Sequence, residues 1–274
     1  MSARLLPLLL GLMGLLPACG GGGGSGPIEV TQAVTAQPIV PITPNYAYAG
    51  TVERNKAITS AITGISYPYH VYLPEGYATS GKSYPVMYAT DGQWTFNSFS
   101  QMLDKRRKPM ILVSIEQGPG DRRAIDYTVN GAPAYARFLR EELAPLIEAA
   151  YRTAAPRTYT GTSYGGLLGS LMLSTEAVGT PFFSNYLLFD GSFQVLTAAN
   201  VKDEQDRFAA SSSLPVHLIL TSANAPGNVS FVTAYEARYR SRAYVGLTID
   251  RKDFNIAHND VADPCFDWAI DLVD

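Results

Sequence analysis

Short runs of apolar, β-branched and aromatic residues recur along this chain, set apart by glycine and proline, with helical patterns between several of them. The runs are Tyr67–Leu73, Pro85–Ala89, Met110–Ile115, Thr158–Gly161, Asn185–Phe189, Val216–Thr221 and Ala243–Ile249. Their lengths and flanks predict buried strands. The clearest helical pattern is Ala134–Tyr151. There Tyr135, Phe138, Leu139, Leu143, Leu146, Ile147 and Ala150 keep the i, i+3, i+4 spacing of a face laid on a sheet, while Arg137, Arg140, Glu141 and Glu148 face water. Such alternation predicts an α/β domain with a mainly parallel central sheet and helices on both faces. Thr51–Ile62 and Ile65–Leu73, joined through Thr63-Gly64, predict an antiparallel hairpin leading into it. No repeat and no second domain boundary follow residue 45. In sheets of this kind chemistry collects at the loops leaving the carboxyl ends of the strands. A catalytic side chain is therefore expected just after a strand, never at its start.

Charge and cysteine content exclude several classes of function. Lys plus Arg number 21 against 24 Asp plus Glu, a net charge of −3. That balance offers no footing for nucleic acid, which calls for a basic excess or stripe. The one basic run, Lys105-Arg106-Arg107-Lys108, is read as a solvated loop. With 2 cysteines, Cys19 and Cys265, neither a disulfide scaffold nor a cysteine-rich metal site is available. No spacing suggests metal ligands, a P-loop or a dinucleotide fingerprint, so no metal or cofactor is expected, and the chain is read as a monomer.

The amino terminus has a different character. Arg4 precedes an almost unbroken apolar stretch, Leu5 to Leu16. This is too short to span a bilayer as a helix, which takes about 20 residues, and it reads as a secretory signal. Leu16-Pro17-Ala18-Cys19 resembles a bacterial lipobox, which implies cleavage before Cys19 and lipid on its sulfur. Residues 1–18 are then a leader, 19–44 a lipidated cysteine with a flexible Gly/Pro-rich tether, and 45–274 the folded domain. The expected location is the bacterial cell envelope, at the outer membrane or its periplasmic face, with the bilayer as a partner through Cys19. Cys265, left without a mate, is expected as a buried small hydrophobe near a last helix, Phe266–Leu272.

Gly161-Thr162-Ser163-Tyr164-Gly165-Gly166 fits G-x-S-x-G between a strand-like and a helix-like segment. A sharp strand-to-helix turn exposes such a serine hydroxyl, and the crowding of the turn demands glycine at its flanks. Ser163 is the candidate nucleophile. A hydroxyl nucleophile needs a base, and imidazole is the usual one near neutral pH. Of the 3 histidines, His70 lies within a strand and His217 at a strand's start, so both are read as structural. His258 lies in a loop beyond the last predicted strand, after the serine in chain order, and is the candidate base.

With those residues in place, the chain from about Tyr69 to Trp268 resembles the putative-esterase (esterase D-like) branch of the α/β-hydrolases. That branch includes siderophore esterases, feruloyl esterases, S-formylglutathione hydrolases and mycolyltransferases. The resemblance rests on His70-Val-Tyr-Leu-Pro-Glu-Gly-Tyr77, Pro85-Val-Met-Tyr-Ala-Thr-Asp-Gly-Gln93, Phe138-Leu-Arg-Glu-Glu-Leu143 with Tyr151-Arg-Thr153, and the turn at Ser163. It implies an α/β-hydrolase fold and a carboxylic-ester hydrolase acting on a small-molecule ester. It further implies an oxyanion hole formed by the backbone N–H groups of Gln93 and Tyr164.

The third catalytic member is open. The family usually places its acid after the strand corresponding to Val216–Thr221, but here that loop holds Asn224 and Asn228 and no carboxylate. Asp190, at the end of the preceding strand, is one candidate. A Ser–His dyad assisted by Asn224, Asn228 or water is another, and Asp253 and Asp260 complete the set. Trp94, Phe96, Phe99, Tyr164 and Phe193 crowd the same edge. Trp94 and Phe193 are the candidate pocket walls, with core packing as the alternative for the group. Arg122 and Arg123 are read as solvated rather than as anion contacts. Two rivals to the esterase reading remain: an acyltransferase on the same fold, and a surface binding protein that has lost catalysis.

Overall fold

The computed structural model describes residues 45–274; the expected leader and tether, with Cys19, lie outside the described residues. The strands are β1 (Thr51–Thr59), β2 (Ser66–Leu73), β3 (Tyr84–Ala89), β4 (Ile111–Ile115), β5 (Thr153–Thr162), β6 (Asn185–Phe189), β7 (His217–Ala223) and β8 (Thr248–Phe254). They form one sheet in the order β1-β2-β4-β3-β5-β6-β7-β8. The strand β2 runs antiparallel to β1 and β4, and all other neighbours pair in parallel. The helices are α1 (Tyr77–Ser80), α2 (Gly92–Lys105), α3 (Arg123–Asp126), α4 (Ala132–Arg137), α5 (Ala144–Ala150), α6 (Tyr164–Leu173), α7 (Ala198–Ala210), α8 (Val229–Ser241) and α9 (Ala262–Ala269). Among the described residues no helix is long and apolar enough to cross a membrane.

The central strands are buried on both faces, which is why they read as continuous apolar runs rather than alternating ones. Successive side chains feed opposite cores. Val86 and Tyr88 of β3 join Tyr135, Leu167 and Tyr235 on one side, whereas Met87 and Ala89 join Phe99, Cys265 and Phe266 on the other. The rings of Phe99 and Phe266 stack 3.7 Å apart and weld α2 to α9. Cys265 is fully buried in that second core, and burial pushes its thiol up to about 12.

Most predicted elements are present, and the departures have local causes. The helix over Ala134–Tyr151 exists but opens into a π-helical segment, Phe138–Leu143, between α4 and α5. Pro145 follows in the first turn of α5. A widened turn is one way the chain accommodates a proline that offers no N–H and crowds the carbonyl one turn back. The extra residue rotates the helix beyond it, so Leu146 is exposed instead of facing the sheet. The strand expected at Ala243–Ile249 lies later, at Thr248–Phe254. Tyr244 is a core residue, Val245 bridges only to Ser213, and Gly246 turns the chain at φ +86, so pairing with β7 starts only beyond them. As an edge strand, β8 pairs β7 alone and carries a polar sequence with no strand signature. Lys105 ends α2, and Arg106 pairs with Asp267 and Asp271 rather than standing free.

The strand order sets the position of the site. From β3 the sheet grows one way through β4 and the other way through β5, so the carboxyl ends of β3 and β5 flank a topological switch point, where such sheets bind ligands.

Candidate active site

The turn between β5 and α6 brings Ser163 to that switch point with φ 59 and ψ −114, a conformation that L residues rarely adopt. Its flanking glycines are required by contact. A Cβ on Gly161 would lie 2.5 Å from the Gly165 carbonyl carbon, and one on Gly165 would lie 2.4 Å from Thr90 Oγ1. The second contact shows how closely the β5–α6 turn packs on the β3–α2 turn. Gln93 and Tyr164 both sit in the first turn of a helix, α2 and α6, where backbone N–H groups have no intrahelical acceptor.

Three residues from distant parts of the chain meet here. His258 Nε2 lies 3.0 Å from Ser163 Oγ, and His258 Nδ1 lies 2.5 Å from Asp190 Oδ2. Asp190 follows β6 with φ 44 and is fully buried. Its Oδ1 accepts the N–H groups of Ala223 and Asn228, each at 3.0 Å, and its own carbonyl accepts Asn228 Nδ2 at 2.9 Å. The loop after β7 thus folds over Asp190 and satisfies it. A hydroxyl, an imidazole and an oriented carboxylate in this order are equipped for proton-assisted nucleophilic attack.

Of the candidate third members, the geometry joins Asp190 alone to the imidazole. Asn228 bonds Asp190 instead, and Asn224 is exposed. Asp253 accepts from Ser222 and Arg251, while Asp260 is exposed. His70 and His217 are occupied elsewhere, by Glu116 and Asp250 respectively.

The aromatic group divides. Trp94 and Tyr164 are partly exposed, but Phe96 and Phe99 are core. Phe193 corrects the expectation of an open pocket wall: it is buried, with its ring stacked on Tyr235 at 4.1 Å, because the turn after Asp190 tucks it beneath α8. Arg123 is a second correction. Far from being solvated, it forks onto Asp91 at 2.7 and 3.0 Å and donates to the Thr162 carbonyl at 3.1 Å. Burial opposes its charge, but the adjacent Asp91 carboxylate outweighs that and holds its pKa above the ordinary arginine value. Arg122 pairs with the buried Asp126. A residue that no sequence motif marks, Ser192, places its Oγ 3.1 Å from Ser163 Oγ; its only signal was its place two residues after Asp190. Among the described residues no group of three metal-ligating side chains gathers.

A family model described as Putative esterase matches residues 60–180, a span that contains the Ser163 turn but ends before Asp190 and His258. No curated protein sequence matches the chain significantly. An IroE-like serine hydrolase from Shewanella oneidensis is similar in structure, with 25% identity and a TM-score of 0.69 over 79% of this chain and 77% of that one. Two further structures share the fold at lower identity. Siderophore hydrolase EstA from Aspergillus nidulans is 18% identical with a TM-score of 0.68, covering 87% of this chain and 98% of that one. The BES protein from Bacillus cereus is 19% identical with a TM-score of 0.64, covering 84% and 93%. The sheet order, the glycine-flanked serine turn, the partial family match and the serine-hydrolase likeness converge: the chain has the α/β-hydrolase fold and is an esterase-type enzyme.

Proposed function

We propose that the chain hydrolyses a small-molecule carboxylic ester through an acyl-enzyme on Ser163. The observation that carries this reading is the continuous bonded path Ser163 Oγ–His258–Asp190 at the switch point. As a carboxylate, Asp190 only accepts, so the imidazole hydrogen resides on Nδ1 and the Nε2 lone pair faces the hydroxyl. Ser163 attacks the ester carbonyl while His258 takes its proton and passes it to the leaving alcohol. The buried Asp190 stabilises the imidazolium formed on the way. The N–H groups of Gln93 and Tyr164 receive the oxyanion, and donors of this kind are worth roughly 3 kcal/mol each. Water, deprotonated by the same imidazole, then releases the acid. The route needs no cofactor.

The leader and Leu16-Pro17-Ala18-Cys19 support export and lipid anchoring, which would hold the enzyme in the bacterial envelope on its tether. Trp94, partly exposed beside the Ser163 turn, is the pocket wall we favour. Because similar structures carry the names of siderophore hydrolases, siderophore lactones belong in a substrate panel beside feruloyl sugars and short acyl esters. A fluorophosphonate probe and a p-nitrophenyl ester provide the test. Wild-type protein should be labelled and turn over, and Ser163→Ala should do neither. Equal labelling of the two proteins would refute the assignment.

A further inference from the structure

Ser163 Oγ has two polar neighbours, His258 Nε2 at 3.0 Å and Ser192 Oγ at 3.1 Å, and the surrounding bonds settle which atom donates to which. Asp190 accepts on both oxygens, from Ala223 and Asn228 on one and from His258 Nδ1 on the other. The imidazole hydrogen is therefore on Nδ1, and Nε2 takes the hydrogen of Ser163. The remaining bond must run from the Ser192 hydroxyl to Ser163 Oγ. Ser192 is almost fully buried, and its N–H donates to the Ser163 carbonyl at 3.1 Å, which fixes the hydroxyl beside its acceptor.

We infer that Ser192 is a catalytic residue of this site, whose O–H stabilises Ser163 Oγ as that oxygen is expelled from the acyl-enzyme. The inference rests on Ser163 being the nucleophile. In the acyl-enzyme, Oγ is an ester oxygen with its lone pair drawn into the carbonyl, and it accepts weakly. Water adds to that carbonyl and gives its proton to His258. When the tetrahedral species collapses, the C–Oγ bond breaks, its electron pair passes to Oγ, the carbonyl reforms, and His258 returns a proton to Oγ. The bond from Ser192 is thus much stronger in this transition state than in the acyl-enzyme before it. In the acylation half, the same bond already exists to the free hydroxyl, so less is gained on reaching the transition state. Only interactions that strengthen between ground and transition state accelerate a step. Deacylation is accordingly the half-reaction that depends on Ser192.

Pre-steady-state hydrolysis of p-nitrophenyl acetate separates the two halves. Ser192→Ala should deacylate about tenfold more slowly, as expected for a lost bond to a charge-developing oxygen, with acylation changed no more than about threefold. Its burst should approach one nitrophenol per enzyme, and Ser192→Thr, which keeps the hydroxyl, should recover most of the deacylation rate. A Ser192→Ala protein that deacylates like wild type would overturn the inference, as would equal slowing of both halves, the mark of general disturbance. Wild-type protein that fails to acylate at Ser163 would instead bring down the underlying nucleophile reading.

Discussion

Asp190 and His258 are 68 residues apart in the chain, yet the Asp190 carboxylate meets the imidazole Nδ1 at 2.5 Å. Asparagine tolerates the left-handed backbone at this position, so Asp190→Asn should keep the fold and remove the charge. We expect kcat/KM to fall about 10³–10⁴-fold. Asp253→Asn, at a carboxylate engaged by Ser222 and Arg251, should stay within a few-fold of wild type. The reverse ranking of these two variants in ester hydrolysis would shift the acid away from Asp190.

Arg123 ties together the two turns that carry Gln93 and Tyr164. Its Nε and Nη2 fork onto Asp91, immediately before Gly92-Gln93, and the same Nη2 also donates to the Thr162 carbonyl, immediately before Ser163-Tyr164. Arg123→Ala strands the buried Asp91 charge and should destabilise by about 3–5 kcal/mol. Arg123→Lys keeps the charge but lacks the fork that serves both partners. It should fold, with kcat lowered about 10- to 100-fold and KM little changed, because small misplacements of reacting groups cost that much. Steady-state kinetics on the lysine variant decides the point, and wild-type kcat there would remove Arg123 from a positioning role.

The backbone at Ser163 holds strain that a glycine would not feel. A residue in such a region costs about 1–3 kcal/mol, and glycine's greater unfolded-state freedom returns about 0.5–1 kcal/mol of the gain. Ser163→Gly should therefore be more stable than Ser163→Ala, by on the order of 1 kcal/mol, with both inactive. Urea midpoints of the pair provide the comparison; an alanine variant at least as stable as the glycine one would show the turn to be relaxed.

Asp104 anchors the start of the domain and gives it a pH dependence. Burial alone would raise this carboxyl, but N–H groups of Gly50 and Ala49 and the phenols of Tyr46 and Tyr72 donate to it and leave its pKa below the ordinary value of 3.8. A depressed folded pKa adds stability that is present above the unfolded value and lost as pH falls through the folded one. The Tyr46 phenol moves the other way, up to about 12 through burial and Asp104, so its contribution is whole below pH 10 and fades as pH rises toward 12. The thermal midpoint of wild type should exceed that of Asp104→Asn from about pH 4 to 10, and the two should converge in more acid solution. A gap of constant size down to pH 2 would contradict this.

Much of the fold and part of the site are legible in the residues themselves. Strand runs such as Asn185–Phe189 stand where their apolar pattern put them, and the glycines around Ser163 are demanded by contacts within one turn. The elements that escaped are those whose residues do not match the period of their secondary structure. In β8, Thr-Ile-Asp-Arg-Lys-Asp-Phe forms a strand because β7 offers a free edge, not because of its own composition. Leu146 looks like a core position until the π-helical segment turns it outward.

The chain's local order therefore determined its class of fold, its serine turn and the one histidine placed to serve it, since periodicity, glycine crowding and strand-end position act across a few residues. Tertiary structure alone brought Asp190, and not Asp253 or Asp260, to the imidazole, held Arg123 between two turns, and set Ser192 against Ser163. Those choices depend on which loops converge at the sheet's rim. The loop after β7 closes over Asp190 and supplies its two N–H donors, while Arg251 and Ser222 occupy Asp253, and a carboxylate becomes the imidazole's partner by the path of the backbone around it.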